Sequence, residues 1–126
     1  MANEVMWLKR LAEFRWVPRI VAVEELSILM TYCGEKACLA NLPDDWREQA
    51  ERIVAELASV PCSHNDIKAE ELLVLDGRLL LIDYQHATRT REEHLILRRA
   101  GLSGCRNRVP DEQAIIGTLA RIGGQG

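Results

Sequence analysis

The chain has 126 residues, of which 48% are hydrophobic, so it can bury a core without disulfides or metal ions and is not disordered by composition. Its 16 basic and 19 acidic side chains give a net charge of −3, which makes nucleic acid an unfavoured partner. No apolar run reaches the length of a membrane span, and the first residues lack the apolar block of a signal peptide. We therefore expect no membrane association and a cytoplasmic location.

The first third of the sequence predicts one helix and two strands. Val5, Leu8 and Leu11 recur at helical spacing within residues 3–14, and Pro18 prevents the helix from continuing. Residues 17–24 and 26–32 are rich in Val, Ile and Leu and predict two strands. A Cys-Gly-Glu linker at residues 33–35 follows them.

A second helix is predicted to start near Asn41, which can act as its N-cap, with Pro43 in the first turn. Its apolar positions recur at helical spacing: Trp46, Ala50, Ile53, Val54 and Leu57. Residues 91–99 and 111–122 predict two more helices, each followed by glycine. No repeat or low-complexity linker divides the chain, so we expect a single α+β domain over residues 1–126.

The four cysteines are expected to be reduced thiols. They are widely spaced, at Cys33, Cys38, Cys62 and Cys105, in a chain that does not need disulfides. A zinc site built from three of them and His64 can be drawn. Because no C-x-x-C pair supports it, ordinary thiols are the favoured interpretation.

Residues 62–88 are the most informative part of the sequence. The apolar runs 72–75 and 78–82 flank Asp76-Gly77, which is a strong signal for a two-residue β-hairpin turn. Because the chain reverses there, the segment before the first strand should lie beside the segment after the second. Asp83 is thereby expected near four polar residues: His64, Asp66, Lys68 and Glu71.

Two carboxylates beside a lysine are suited to phosphoryl transfer, in which one Asp orients the attacking hydroxyl and another holds a metal ion against the phosphates. The alternative is that each Asp is only a turn or capping residue, as is common beside strands. For a single Asp that alternative is preferred. The joint pattern of both motifs around one hairpin favours chemistry.

The stretches His64-Asn65-Asp66-Ile67-Lys68-Ala69-Glu70-Glu71 and Ile82-Asp83-Tyr84-Gln85 resemble the catalytic loop and the metal-binding motif of the protein-kinase-like superfamily. The sequence around them is similar to choline kinases and aminoglycoside phosphotransferases. Lys68, in contrast, is similar to the catalytic-loop lysine of protein kinases, so the branch of the superfamily stays open.

The resemblance implies a role for each residue of these motifs. Asp66 would orient the substrate hydroxyl, His64 would brace the loop, and Lys68 would face the phosphate transferred from ATP. Asp83 would bind Mg²⁺. Glu71 stands where the family has a metal-binding Asn, which is the main local departure, although a carboxylate oxygen can also bind this cation.

The resemblance also implies a truncated kinase-like fold, with residues 1–35 forming a helix and two strands up to a hinge and residues 36–126 forming the helical lobe. Tyr32 and Glu35 would lie in the hinge that contacts the adenine of ATP. Glu4 would be the helix glutamate that pairs with the ATP-binding lysine. The Gly-rich loop and that lysine would precede Met1, so Glu4 is interpreted as a solvated residue of the first helical turn.

Two functions follow as hypotheses. The first is an ATP- and Mg²⁺-dependent phosphotransferase acting on a hydroxyl of a small molecule or a protein. The second is a non-catalytic kinase-like binding module that pairs with another chain. In either case sheet edges left uncovered should favour a homodimer or a partner chain.

Overall fold

The computed structural model describes residues 2–103 and 109–124, which form an α+β fold, as the sequence predicts. Its helices are α1 (Ala2–Arg10), α2 (Trp46–Ser59), α3 (Arg91–Arg99) and α4 (Asp111–Ile122). Its strands are β1 (Ile20–Val23), β2 (Ile28–Met30), β3 (Glu35–Lys36), β4 (Leu72–Leu75) and β5 (Arg78–Leu81). Strands β1 and β2 form one antiparallel sheet, and β3, β4 and β5 form a second, in that order.

The β4–β5 hairpin confirms the predicted antiparallel pairing of residues 72–75 with 78–82, except that β5 ends at Leu81. Leu72 lies opposite Leu81, and Leu75 lies opposite Arg78 at the closed end. Asp76 and Gly77 both have positive φ, 51° and 76°, as a two-residue turn of type I′ requires. A short 3₁₀ helix, Ala69–Glu71, leads directly into β4, so the residues before the hairpin are fixed at its open end.

The first sheet is smaller than the sequence predicts. The predicted strands 17–24 and 26–32 shorten to four and three residues, because the register shifts between Ile20 and Ala22 and the Glu24 N–H donates to the Ser27 carbonyl to close the turn. The predicted linker also differs from the structure. Glu35 belongs to β3, where it pairs with Val74 of β4.

Two helix boundaries also differ from the prediction. Helix α1 ends at Arg10 instead of residue 14. Residues 11–17 form turns and bends, and the Trp16 carbonyl accepts a hydrogen bond from the Leu81 N–H of β5 instead of continuing a helix. Helix α2 begins at Trp46. Asn41 does not cap it, because its side chain bonds the Cys38 N–H and the Lys36 carbonyl in the preceding loop.

Helix α2 packs against α4 and β5, and the core lies between them. Four of the five predicted stripe residues of α2 are buried, and Val54 is half-buried. The largest fully buried apolar side chains are Trp7, Leu8, Leu11, Ile53, Leu57, Leu72, Leu79, Leu81, Tyr84, Ile115 and Leu119. No helix in the described ranges is long and apolar enough to cross a bilayer.

The three cysteines within the described residues are free thiols, of which Cys33 and Cys62 are buried and Cys38 is exposed. Burial raises the pKa of the Cys62 thiol to about 12, so it is unreactive at neutral pH. Cys105, which is also predicted to be a reduced thiol, lies outside the described residues.

Candidate functional site

Three carboxylates converge at the open end of the hairpin. One oxygen each from Asp66, Glu71 and Asp83 lies within 4.8 Å of the other two. Asp66 comes from the loop before β4, Glu71 from the end of the 3₁₀ helix, and Asp83 from the segment just after β5. The hairpin therefore brings together residues that are 17 positions apart in sequence, Asp66 and Asp83, as its local pattern predicts.

His64 braces the loop that carries Asp66. Its ring is completely buried, with Nε2 2.8 Å from the Ile82 carbonyl oxygen and Nδ1 accepting from the Asp66 N–H at 3.1 Å. This pair of bonds fixes the neutral tautomer with the proton on Nε2. Burial also lowers the pKa of the imidazole. The ring packs edge-on against Tyr84, with centroids 4.9 Å apart, so His64 is held where it positions the loop.

Asp111 holds the same loop from the far end of the chain. One carboxylate oxygen accepts from the His64 N–H at 2.7 Å, and the other accepts from the Asn65 N–H at 3.0 Å. Both are charge-assisted bonds to backbone donors, which are stronger than neutral ones. In the sequence, Asp111 is recognisable only as the first residue of a predicted helix. Its position at a helix start is the single local signal, and that signal says nothing about its partners.

Asn65 ties the two site segments together. Its backbone is left-handed, with φ of 73°, a conformation that Asn tolerates better than most residues. The Asn65 amide donates to the His86 carbonyl and to the Thr88 hydroxyl, both at 2.9 Å. Ser63 and Thr88 also exchange two backbone hydrogen bonds. The loop before β4 and the segment after β5 are thus fixed to each other by backbone and side-chain bonds.

Glu71 is the least compensated member of the cluster. It is only 5% exposed, and its Oε2 atom has no hydrogen-bond partner among the described residues. Burial, followed by the charges of Asp66 and Asp83, raises the pKa of Glu71 to about 7, although Lys68 acts in the opposite direction. A buried carboxylate oxygen without a donor is unfavourable, so the position favours a proton or a cation.

Lys68 is the basic residue beside the cluster. Its Nζ lies 3.7 Å from Asp66 Oδ1, and its side chain is more than half exposed. The charges of Glu71 and Asp66 raise its pKa, so it carries a positive charge at neutral pH. An exposed ammonium at the rim can contact an anionic ligand and still neutralise the nearest carboxylate.

Helix α1 holds the segment that carries Asp83. Asp83 has a left-handed backbone, with φ of 67°. The Glu4 Oε2 atom accepts from the next backbone amide, Tyr84 N–H, at 3.0 Å. The Asn3 amide and the Trp7 indole N–H bond carbonyls of the same segment, with Asn3 donating to Gln85 at 3.0 Å and both donating to Ala87 at 3.1 Å.

Glu4 is therefore not the solvated first-turn residue that the sequence suggests. It is half-buried, and burial together with the nearby Asp83 charge raises its pKa. The prediction was wrong because the contact spans 80 residues and leaves no local pattern. Glu4 adds a fourth carboxylate next to the cluster and orients the backbone on which Asp83 lies.

The two residues expected to contact adenine lie apart from this network. Tyr32 is 67% exposed, and its hydroxyl donates to Glu35 Oε1 at 2.7 Å. Among the described residues, neither side chain bonds a member of the acidic cluster. Glu35 is nevertheless in β3, next to β4, so the segment borders the hairpin whose open end holds the cluster.

The donor set fits a hard divalent cation. Mg²⁺ is bound in proteins by one or two carboxylates, with water or phosphate oxygens completing its shell. Asp83, which is half-buried, and the unpartnered oxygen of Glu71 provide such a pair. The fit rests on carboxylate chemistry and on the buried unpaired oxygen of Glu71.

No protein-family model matches this chain, and no curated protein sequence matches it significantly.

Proposed function

We propose that this chain is a phosphotransferase of the protein-kinase-like superfamily, which transfers a phosphoryl group from ATP to a hydroxyl of a small molecule or a protein. The observation that carries the proposal is the convergence of Asp66, Glu71 and Asp83 at one end of the hairpin, with Lys68 beside them. Phosphoryl transfer requires little beyond positioning and charge neutralisation, and this cluster is suited to both.

Each site residue has a role in the proposal. Asp66, 7% exposed and fixed by the buried His64, accepts or orients the proton of the acceptor hydroxyl. Asp83 and Glu71 hold Mg²⁺, which when bound neutralises phosphate charge. Lys68, positively charged at the rim, contacts the transferred phosphate.

The donor nucleotide is proposed to bind along the hinge-like segment, with Tyr32 and Glu35 contributing to the adenine site. Tyr32 supports this proposal through its exposed aromatic ring, which can stack on a base. ATP as phosphate donor agrees with the cytoplasmic location expected from the sequence.

A second candidate function, a kinase-like binding module, is favoured by a different observation. Four large side chains of the β1–β2 region and its flanks are strongly exposed: Val21 at 62%, Leu26 at 92%, Leu29 at 56% and Tyr32 at 67%. Exposed apolar side chains beside short sheet edges favour association. In this version a second copy or another chain covers the β1–β2 sheet, and the acidic cluster is not used for turnover.

Thermal unfolding with Mg²⁺ and ATP tests the first candidate. A ligand at a hundred times its dissociation constant adds about 2.7 kcal/mol to the free energy of unfolding, so even weak binding raises Tm at millimolar ATP. We expect this rise to require Mg²⁺, to disappear in Asp83→Ala and to persist in Asp66→Asn. Asp44→Ala, at an exposed position outside the site, is the matched control.

Transfer of ³²P from ATP to hydroxyl acceptors then separates binding from catalysis. Asp66→Asn should bind Mg²⁺ and ATP but lose transfer. If Mg²⁺ and ATP together leave the Tm of the wild-type chain unchanged, the phosphotransferase proposal fails. Light scattering tests the self-association expected of the binding module. A chain that stays monomeric at high concentration contradicts it.

A further inference from the structure

A cleft lies between the loop that carries Asp66 and helix α4, which packs against the 3₁₀ helix Ala69–Glu71. It has a volume of about 650 Å³, within the usual range for small-molecule sites. Ile67 and Lys68 form part of one wall, so the cleft begins directly after Asp66 in the chain. The other wall consists mainly of α4 residues at helical spacing: Gln113, Ala114, Thr118, Arg121 and Ile122.

The lining of the cleft is positively charged. Its charged side chains are those of Lys68 and Arg121, and no carboxylate lines it within residues 2–103 and 109–124. Lys68 is shared with the acidic cluster, because its Nζ lies 3.7 Å from Asp66 Oδ1. Arg121 forms no ion pair with any residue that the structure describes. The lining therefore keeps the Arg121 charge even when the Lys68 charge is assigned entirely to Asp66.

Arg121 is held against its own helix. Its Nη2 donates to the Thr118 hydroxyl at 3.4 Å, and its Nη1 lies 3.5 Å from the position that a Cβ would take at Gly117. Thr118 is buried and also lines the cleft. Among the described residues, Arg121 thus uses one of its five guanidinium N–H groups, which leaves the others to donate to a ligand or to water.

The rest of the lining is mostly apolar. Ile67 and Ala114 are buried, and Ile122 is half-buried. From Gln113 to Ile122 the lining follows about 13 Å of the α4 axis. An extended carbon chain with a polar group at each end fits this cleft better than a compact ion does.

We propose that this cleft binds the phosphate acceptor, and that the acceptor is a hydroxyl compound with an oxyanion, a phosphate or a carboxylate, at its other end. Arg121 pairs with the oxyanion through bidentate hydrogen bonds. The apolar lining contacts the carbon chain, and the hydroxyl lies at the Lys68 end, beside Asp66. This inference rests on the proposed function, because it names the acceptor of the same site.

The transfer step places each group of this acceptor. The hydroxyl oxygen forms a bond to the γ-phosphorus of ATP, the bond from that phosphorus to the departing ADP oxygen breaks, and the hydroxyl proton passes to Asp66. Arg121 does not touch the reacting atoms. It acts as a binding residue that selects acceptors with a negative charge.

Calorimetric titration of the full chain in EDTA, without nucleotide, tests the cleft alone. The probe is hydroxyhexyl phosphate. Its comparators are hydroxyhexanoate, which carries a carboxylate, and hexanediol, which carries no charge. We expect hydroxyhexyl phosphate to bind saturably and about tenfold more tightly than hexanediol. The anion that binds more tightly identifies the preferred oxyanion.

Replacing Arg121 by Gln should weaken the binding of both anions by about tenfold and leave that of hexanediol unchanged. Arg52→Gln is the matched control, because it removes the same charge from an exposed position outside the cleft. Arg121 is itself exposed, so its replacement should leave Tm near the wild-type value. In ³²P transfer from ATP, Arg121→Gln should raise the KM for hydroxyhexyl phosphate by about tenfold with kcat nearly unchanged.

The proposal is overturned if hexanediol binds as tightly as both anions, or if Arg52→Gln weakens binding as much as Arg121→Gln. Its failure is distinct from that of the phosphotransferase proposal. If Mg²⁺ and ATP raise Tm but neither anion binds, the acceptor cleft alone is wrong. If hydroxyhexyl phosphate binds in EDTA but Mg²⁺ and ATP leave Tm unchanged, the phosphotransferase proposal fails and the cleft loses its acceptor role.

Discussion

Replacing Glu71 by Gln should stabilise the protein at alkaline pH. Glu71 is only 5% exposed, and burial raises its pKa from 4.5 to about 7. The folded state therefore keeps a proton that the unfolded chain releases, so the contribution of Glu71 to stability is fully present below pH 4.5 and is lost as the pH rises through 7. At about 1.4 kcal/mol per pKa unit, the complete effect is about 3 kcal/mol.

Urea unfolding at two pH values measures this effect. About 2 kcal/mol of the loss should fall between pH 5.5 and pH 8. In Glu71→Gln the side chain at this position carries no charge at either pH. The free energy of unfolding of Glu71→Gln, relative to that of the wild type, should therefore rise by about 2 kcal/mol between pH 5.5 and pH 8. Glu70→Gln, an exposed neighbour, is the control and should show no such change. With Mg²⁺ at pH 8, the wild type should regain stability and Glu71→Gln should not.

The reasoning would be refuted if the free energies of unfolding of the wild type and Glu71→Gln differed by the same amount at both pH values. It would mean that the buried carboxyl is compensated in the folded state and does not carry the extra proton. The expectation for Mg²⁺ is contradicted separately, if the cation changes the free energy of unfolding of both proteins by the same amount. Stability and cation binding are thus expected to change in opposite directions at this position.

Two further predictions concern the supports of the site. Asp111→Ala should lower the free energy of unfolding by about 2–4 kcal/mol, because two backbone amides lose their charged acceptor, whereas the exposed Glu112→Ala should change it little in the same urea titration. Gly34→Ala should cost more than about 3 kcal/mol, since its φ is +89° and an added Cβ would lie 2.0 Å from the Val74 carbonyl oxygen. Gly77→Ala, with φ of +76° and an open surrounding, should cost only about 1–2 kcal/mol.

The hairpin and the acidic cluster could be predicted because their signals are local. Asp76-Gly77 and the flanking apolar runs specify both turn and register within ten residues, 72–81. Once the register is known, the positions of Asp66 and Asp83 follow from chain reversal. The helices at 91–99 and 111–122 have similarly complete local signals, and the structure places them at those residues.

The supports of the site could not be predicted, because they depend on contacts between distant segments. Glu4 reaches an amide 80 positions away, and Asp111 reaches two amides that precede it by more than 40 residues. Side-chain bonds to backbone groups leave no periodicity in sequence. The boundary of α2 was misplaced for a related reason: Asn41 has the right chemistry for a cap but uses it in its own loop.

Because α1 and α4 supply the carboxylates that fix the site loops, the docking of these helices affects the order in which the site folds. His64 N–H and Tyr84 N–H each bond a carboxylate from a distant part of the chain, and closing such long loops is slow. The hairpin can form early, but the site around it is complete only when both helices have docked. In native-state hydrogen exchange these two amides should therefore exchange only through global unfolding, despite lying in loops.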